Sequence, residues 1–320
     1  MTEQKIIVTA DDYGVFDEID RGVLEAVSAG KINSVAAFAN YGNKGQLSRK
    51  KAEQLLKIAD NSGHELHLGI HLTISSGKPL TGINGFEQSC TLRGFRDFKN
   101  VEEIDQRGKE RLMDELHAQM KVFEGLPIRH LTSHHDALTY HRRHFECLLE
   151  LARDYDLPIR NYRYDPEQRN KMEFICGTDW ISLRKLDQIK EAFENEHQLQ
   201  ISMPDVTYVG QYATKYNLFW NRFKKENVIN RASEKRRELE GYIERLAEKP
   251  DPHKTEIVSH IIAPKVHSQK HYRQLVKKYN YKGVSPAYFD GRLLEMYTLM
   301  DFEAIPNLAG NLKWGVWKDG

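Results

Sequence analysis

Strand-like and helix-like segments alternate along this 320-residue chain, which predicts an α/β fold with a mainly parallel sheet. Seven segments have the composition of strands, and four of these end in Asp or His. Seven to eight parallel strands with crossover helices favour a variant TIM-like (β/α) barrel, with an open sheet as the alternative. Because the strands of a parallel barrel all end at one face, the four polar strand ends predict a single site there.

The strand candidates are short apolar or β-branched runs bounded by polar and turn residues. In chain order they are Lys5–Ala10, Ser34–Asn40, Glu65–Leu72, Arg129–Ser133, Pro158–Tyr162, Gln200–Pro204 and Glu256–His260. Two helices between them carry apolar stripes at helical spacing, Leu112, Leu116, Met120 and Phe123 in one and Leu239, Tyr242, Ile243 and Leu246 in the other. We predict one barrel domain over residues 1–320, and the stretch of about 165–230, which fits the alternation poorly, is a candidate inserted cap.

The bulk composition narrows the class of partner. A formal net charge of +1 gives the whole chain no bias toward nucleic acid or acidic membranes. Cys90, Cys147 and Cys176 are widely separated and lack the paired spacing of a zinc motif, which indicates a reducing compartment. No leader segment is evident, and no run approaches the roughly 20 apolar residues of a membrane span. We therefore expect a cytoplasmic protein without nucleic-acid or membrane partners, and a homodimer because such assemblies are common.

The first site candidate is Ile6–Gly14, an apolar run that ends in the adjacent carboxylates of Asp11 and Asp12. Two neighbouring carboxylates at the end of a buried strand repel each other, so a cation is expected beside them. The alternative is a turn with a helix cap, because Asp17 and Asp20 follow and acidic residues favour helix starts.

Histidines supply the matching ligands at three other strand ends. His67 and His71 are four residues apart, which places them on one side of either a helix or a strand. The β-rich sequence favours a strand, and on a strand only His71 would reach the tip. His134 and His260 follow or end two further strand candidates. A single histidine at a strand end is more often a hydrogen-bonded structural residue. The coincidence of four strand ends makes a shared metal site the better interpretation.

These residue types fit the chemistry of a hydrolytic metal ion. Imidazole nitrogen and carboxylate oxygen bind zinc and related ions, and Asp12, His71 and His134 would form a two-histidine, one-carboxylate set. The ion would acidify water and polarise a carbonyl group. Asp11 could then accept a proton from the water, and His260 could protonate the leaving group.

An aromatic cluster comprises Tyr208, Tyr212, Tyr216, Phe219, Trp220 and Phe223. The three- and four-residue spacing favours the buried face of an amphipathic helix. The alternative is a wall that stacks on sugar rings, and Tyr208 is the candidate substrate residue of this group.

Six segments taken together resemble the YdjC-type carbohydrate deacetylases, the family that includes the chitooligosaccharide deacetylases. The matching blocks are Ala10–Gly14, Gly69–Thr73 with Gly77–Leu80, His130–His135, Leu151–Arg160, Glu256–His260 and Arg292–Leu299. The resemblance implies a variant β/α barrel and hydrolysis of an N-acetyl group on an amino sugar. It also implies that nearly the whole chain is one catalytic domain.

The resemblance assigns roles by position. The residues similar to the family's metal ligands are Asp12, His71 and His134, which would hold Mg²⁺ or Zn²⁺. Asp11 is similar to the family's catalytic base and His260 to its C-terminal histidine, interpreted as the acid. Arg292, in the last block, is a candidate substrate-binding residue together with Tyr208.

The chain departs from the family pattern at two places. Asp136 and Leu138 stand where the family has histidines, and Ile261-Ile262 follow His260 where the family has Pro-Gly. These departures put the identity of the substrate in question. They leave open two alternatives, a catalytically altered sugar-binding protein of the same fold and a metal hydrolase of another amide or ester.

Overall fold

The computed structural model of the chain describes residues 3–81, 103–165, 168, 182–209, 225–263, 286–301 and 311–318. Its strands are β1 Gln4–Tyr13, β2 Ser34–Ala37, β3 His67–Leu72, β4 Ile128–Ser133, β5 Val206–Val209, β6 His253–Ser259 and β7 Leu312–Trp314. They pair in parallel in the order β4-β3-β2-β1-β6-β5, and β7 pairs with the start of β1. This sheet curves into a half-barrel surrounded by helices. The predicted α/β fold, a variant of the TIM-like barrel, is confirmed.

The helices within the described residues are α1 Asp17–Ser28, α2 Gln46–Ser62, α3 Gln106–Val122, α4 Arg142–Tyr155, α5 Leu183–His197, α6 Lys225–Ala247 and α7 Pro286–Asp301. Asp105 caps α3 by accepting a hydrogen bond from the Gly108 N–H (2.7 Å). Both predicted apolar stripes are buried, which confirms them as the core-facing sides of α3 and α6. Among the helices the structure describes, none combines the length and the apolar character needed to cross a membrane.

The predicted strand Pro158–Tyr162 is an extended segment and not a ladder strand. It makes one isolated parallel bridge to β4, from Ile159 to Leu131, and further along Tyr164 bridges to Thr207 of β5. Residues 158–165 therefore span the gap between the two edges of the half-barrel. Asn161 explains the irregularity, because its side-chain amide donates to the backbone carbonyls of residues 204 and 205 (2.8 Å each) in place of a regular ladder.

Two other strand predictions need correction. Gln200–Pro204 is not a strand, and the strand in this region is β5, just beyond Pro204, which has no N–H to donate to a ladder. β2 ends at Ala37 and not at Asn40. β7, with only three residues, has no corresponding prediction because its length is below what an alternation pattern can reveal.

The stretch of about 165–230 contains both α5 and β5. β5 is part of the sheet, since Val206–Val209 pairs in register with Thr255–Val258 of β6. The aromatic residues from Tyr212 to Phe223 lie outside the described residues. A single catalytic domain with an inserted cap stays a prediction.

Candidate metal centre and active site

The end of β1 turns both of its carboxylates toward one imidazole. Neighbouring side chains of a regular strand point to opposite faces. Asp12, however, has a left-handed backbone (φ 67°), and the pairing of β1 with β2 shifts register between Ala10 and Tyr13. As a result, Oδ2 of Asp11 lies 3.9 Å and Oδ1 of Asp12 lies 3.3 Å from Nε2 of His71.

Asp12, His71 and His134 form a compact set of ligand atoms. Oδ1 of Asp12 lies 3.3 Å from Nε2 of His71 and 3.2 Å from Nδ1 of His134, and the two ring nitrogens are 3.1 Å apart. All three side chains are buried, and they are contributed by β1, β3 and the turn after β4. Ligand atoms around a tetrahedral zinc ion with bonds of about 2.1 Å lie about 3.4 Å apart, so the triangle has the size that an ion requires.

Two hydroxyl groups orient the imidazoles of this set. Nδ1 of His71 lies 2.6 Å from Oγ1 of Thr132, which itself lies 3.5 Å from the carbonyl oxygen of Ile70. A hydroxyl that donates to the carbonyl accepts from the ring, so Nδ1 carries the proton of His71 and Nε2 keeps its lone pair. Nε2 of His134 lies 3.0 Å from Oγ of Ser76, so Nδ1 is the ring nitrogen that faces Asp12 and His71.

These tautomers make a cation at the centre of the triangle physically reasonable. Nε2 of His71 and Nδ1 of His134 are 3.1 Å apart, and either a proton on Nδ1 of His134 or a cation bound by both nitrogens satisfies the lone pair on Nε2 of His71. Oδ1 of Asp12 also makes no hydrogen bond within the described part of the chain. The donor set of two imidazoles and one carboxylate therefore fits a divalent ion.

Arg292 on α7 holds the other oxygen of Asp12. Its buried guanidinium donates a hydrogen bond to Oδ2. Burial alone would raise the pKa of Asp12, but the guanidinium of Arg292 holds that pKa well below its ordinary value. Asp12 is therefore ionised, with Oδ1 directed at the two histidines.

Asp11 is bound by a residue for which the sequence suggested no role. Nη1 and Nη2 of Arg160 donate to the two oxygens of Asp11 (2.7 and 2.8 Å). The same guanidinium donates to Glu256 through Nε (2.9 Å) and Nη2 (2.7 Å), and all three side chains are buried. Burial raises the pKa of Asp11, but the guanidinium of Arg160 outweighs it and holds the pKa below its ordinary value.

His260 lies on the other side of Asp11. Its Nε2 is 3.9 Å from Oδ2 of Asp11, and its ring is partly exposed (18%). The backbone N–H of His260 donates to Glu295 of α7, whose other oxygen lies 3.2 Å from the buried ammonium of Lys235. Burial lowers the pKa of His260, although the carboxylate of Asp12 opposes this.

Five of the seven predicted site residues thus lie together: Asp11, Asp12, His71, His134 and His260. Arg292 reaches the same cluster through Asp12, and its predicted contact with substrate stays a prediction. Tyr208 lies elsewhere, buried on β5 with its ring stacked on Tyr242 at 4.1 Å. Its role in substrate binding also stays a prediction.

Residues missed by sequence reasoning support this cluster. Ser76, Thr132 and Arg160 fall inside the blocks or next to the strand ends that carry the ligands, but no spacing rule indicates their targets. Phe38 packs its ring edge-on against His71 (5.1 Å) and His134 (4.8 Å).

The two residues that replace histidines in the block after β4 have different environments. Leu138 is fully buried in the hydrophobic core. Asp136 is partly exposed and accepts a hydrogen bond from the Tyr164 hydroxyl. Leu138 is thus explained by packing, whereas Asp136 brings another carboxylate to the end of the barrel that carries the site.

The fold and this cluster define a parallel α/β barrel protein with a candidate metal centre at the carboxyl ends of its strands. The family model described as YdjC-like protein matches residues 5–279, and the chain belongs to this family.

Similar proteins include a carbohydrate deacetylase of Thermoanaerobacter pseudethanolicus, 29% identical over 167 residues, and one of Vibrio cholerae, 30% identical over 160 residues. The matches cover 51% and 49% of this chain but only 62% and 58% of those relatives. A crystal structure from Enterococcus faecalis, named as a candidate cellobiose-phosphate cleavage protein, has a TM-score of 0.56 at 19% identity. That match covers 99% of this chain and 98% of the other, and it supports the fold alone.

Proposed function

We propose that this chain is a metal-dependent hydrolase that removes an N-acetyl group from an amino sugar or oligosaccharide. The observation that carries the proposal is the triangle of Asp12, His71 and His134 beside Asp11 and His260. Relatives named carbohydrate deacetylase support the substrate class and the reaction. The cytoplasmic location and the homodimer stay predictions.

The ligand set favours zinc over magnesium. Two of its three atoms are imidazole nitrogens, whereas magnesium prefers oxygen ligands in octahedral geometry. Arg292 neutralises the charge of Asp12, which weakens the purely electrostatic attraction that a hard ion depends on. When bound, the ion would supply Lewis acidity, acidifying water and polarising the amide carbonyl.

The protein's own groups would move the protons. Asp11 is ionised at any working pH and would accept a proton from the attacking water at Oδ2, its atom nearest to His71 and His260. Arg160 would hold the Asp11 carboxylate in one orientation through two hydrogen bonds. His260 would deliver a proton from Nε2 to the departing amine nitrogen.

One observation favours the alternative of a sugar-binding protein without turnover. Arg160 binds both oxygens of Asp11 and depresses its pKa, which weakens this carboxylate as a base. The proposed reaction therefore depends on an ion that acidifies the water enough for a weak base to suffice. A protein that binds metal and sugar but releases no acetate would support the alternative.

The test is acetate release from a panel of N-acetylated mono- and disaccharides, with and without phosphate. Protein stripped of metal is reloaded with zinc or magnesium. We expect release that requires metal and is lost in Asp11→Asn, while Asp60→Asn, which alters an exposed carboxylate on α2, retains it. Release that persists in Asp11→Asn would contradict the assigned base.

A further inference from the structure

Asp136 is a carboxylate at the site for which the proposed chemistry has no use. It lies two residues after His134, in the turn His134–Thr139 that follows β4. Unlike Asp11 and Asp12, it is partly exposed. Its Oδ2 accepts a hydrogen bond from the Tyr164 hydroxyl, and within the described residues its Oδ1 makes no hydrogen bond.

The backbone of this turn is held against its ordinary preference. His135 and Asp136 are consecutive residues with left-handed backbones (φ 56° and 52°), a conformation that costs free energy for residues other than glycine. Hydrogen bonds from the Tyr140 and Thr139 hydroxyls to the carbonyls of His135 and Asp136 (2.9 and 2.8 Å) maintain it. Backbone strain of this kind concentrates at functional sites.

The strained turn places Asp136 at the same end of the half-barrel as His134. Tyr164 lies four residues after Arg160 on the segment 158–165 that spans the two edges of the half-barrel. Asp136 thus contacts, through Tyr164, the same short segment that carries Arg160, the partner of Asp11.

We propose that Asp136 is a specificity-determining residue, which accepts a hydrogen bond from a ring hydroxyl of the sugar undergoing deacetylation. This inference rests on the proposed function of the site. A carboxylate oxygen accepts hydrogen bonds, and a sugar ring presents several O–H donors. One oxygen of Asp136 binds Tyr164, which leaves the other available to a ligand. A site built to bind a hydroxyl strongly disfavours an analogue that lacks it, because the acceptor is then left unpaired.

The test measures binding of the disaccharide of N-acetylglucosamine, and of its analogues that each lack one ring hydroxyl, by calorimetry on zinc-loaded protein. We expect Asp136→Ala to weaken binding of the parent sugar by roughly 10- to 100-fold, the range of a hydrogen bond to a charged group. On the unaltered protein, one deoxy analogue should bind more weakly than the parent sugar by a similar factor. On Asp136→Ala, that analogue and the parent sugar should bind with equal affinity. Asp136→Asn keeps an oxygen acceptor and tolerates the left-handed backbone, so its loss should be smaller.

Asp187→Asn is the matched control. Asp187 on α5 accepts the hydroxyl of Tyr162 (2.8 Å), so it has the same partner type on the same segment, but it is also paired with the half-exposed Arg163. It should bind every sugar as the unaltered protein does. Thermal unfolding of each variant shows whether it is folded.

The outcomes separate this inference from the proposed function. Binding that depends on Asp136 without any acetate release would support the inference and overturn the proposed reaction. Two results would overturn the inference alone. One is acetate release together with an unchanged affinity of Asp136→Ala for the parent sugar. The other is that every deoxy analogue loses the same factor in affinity on Asp136→Ala as on the unaltered protein. Absence of binding by every sugar would overturn it as well.

Discussion

Removing Arg160 should be among the most damaging single changes in this protein. Its guanidinium is the shared partner of Asp11 and Glu256, and the exposed fractions of the three side chains are 8%, 3% and 0%. Arg160→Met leaves two buried carboxylates facing each other without a cation. Breaking a buried ion pair in this way costs about 3–5 kcal/mol, because the remaining charge has neither water nor a partner.

Urea denaturation followed by tryptophan fluorescence measures this cost. Arg163→Met is the control, three residues along the same segment. Arg163 pairs with Asp187 but is 52% exposed, so its loss should lower the free energy of unfolding by less than about 1 kcal/mol. Arg160→Met/Glu256→Gln should recover about 1 kcal/mol or more, since one of the two stranded charges is removed. If Arg160→Met destabilises the protein no more than Arg163→Met, the buried charge cluster does not exist as described.

Three further changes have outcomes that follow from named contacts. His144 is fully buried and burial lowers its pKa to about 4. The unfolded chain therefore binds a proton at His144 that the folded chain does not, and this residue should contribute roughly 2 kcal/mol to the loss of stability between pH 7 and 5. In urea titrations the loss should be smaller by about that amount in His144→Leu, and an equal loss in both proteins would contradict the assignment. Thr132→Val removes the acceptor of the His71 Nδ1–H and should weaken zinc affinity about 10- to 100-fold, measured by competition with a chelator. Unchanged affinity would refute the tautomer assigned to His71. Gly69→Ala would place a Cβ 2.2 Å from Nε2 of His130. The midpoint of thermal unfolding of this variant should drop by an amount equivalent to about 1–3 kcal/mol, and an unchanged midpoint would contradict the packing of Gly69 against His130.

The sequence could predict the convergence of the ligands because parallel strands end at one face. Asp12, His71 and His134 each stand at or just after such an end, so assigning the strands was sufficient to bring them together. The alternation rule failed where side chains replace the backbone ladder, as Asn161 does. It also failed for β7, whose three residues carry no periodicity.

The partners of the ligands could not be predicted in the same way. Arg160 lies 149 residues from Asp11 along the chain, on a segment that is not a regular strand. No local pattern specifies which buried carboxylates a distant guanidinium will reach. The side-chain position of Asp136 likewise depends on two consecutive left-handed residues, a conformation that sequence propensity disfavours.

The most direct test of the proposed metal-dependent deacetylation is a zinc titration of the stripped protein, with bound zinc and the rate of acetate release measured on the same samples. The rate should rise in proportion to bound zinc and stop rising at one ion per chain. His134→Gln, which removes one corner of the ligand triangle, should show neither tight zinc binding nor acetate release. Acetate release by the stripped protein at the full rate, or by His134→Gln without bound zinc, would contradict the proposed metal centre.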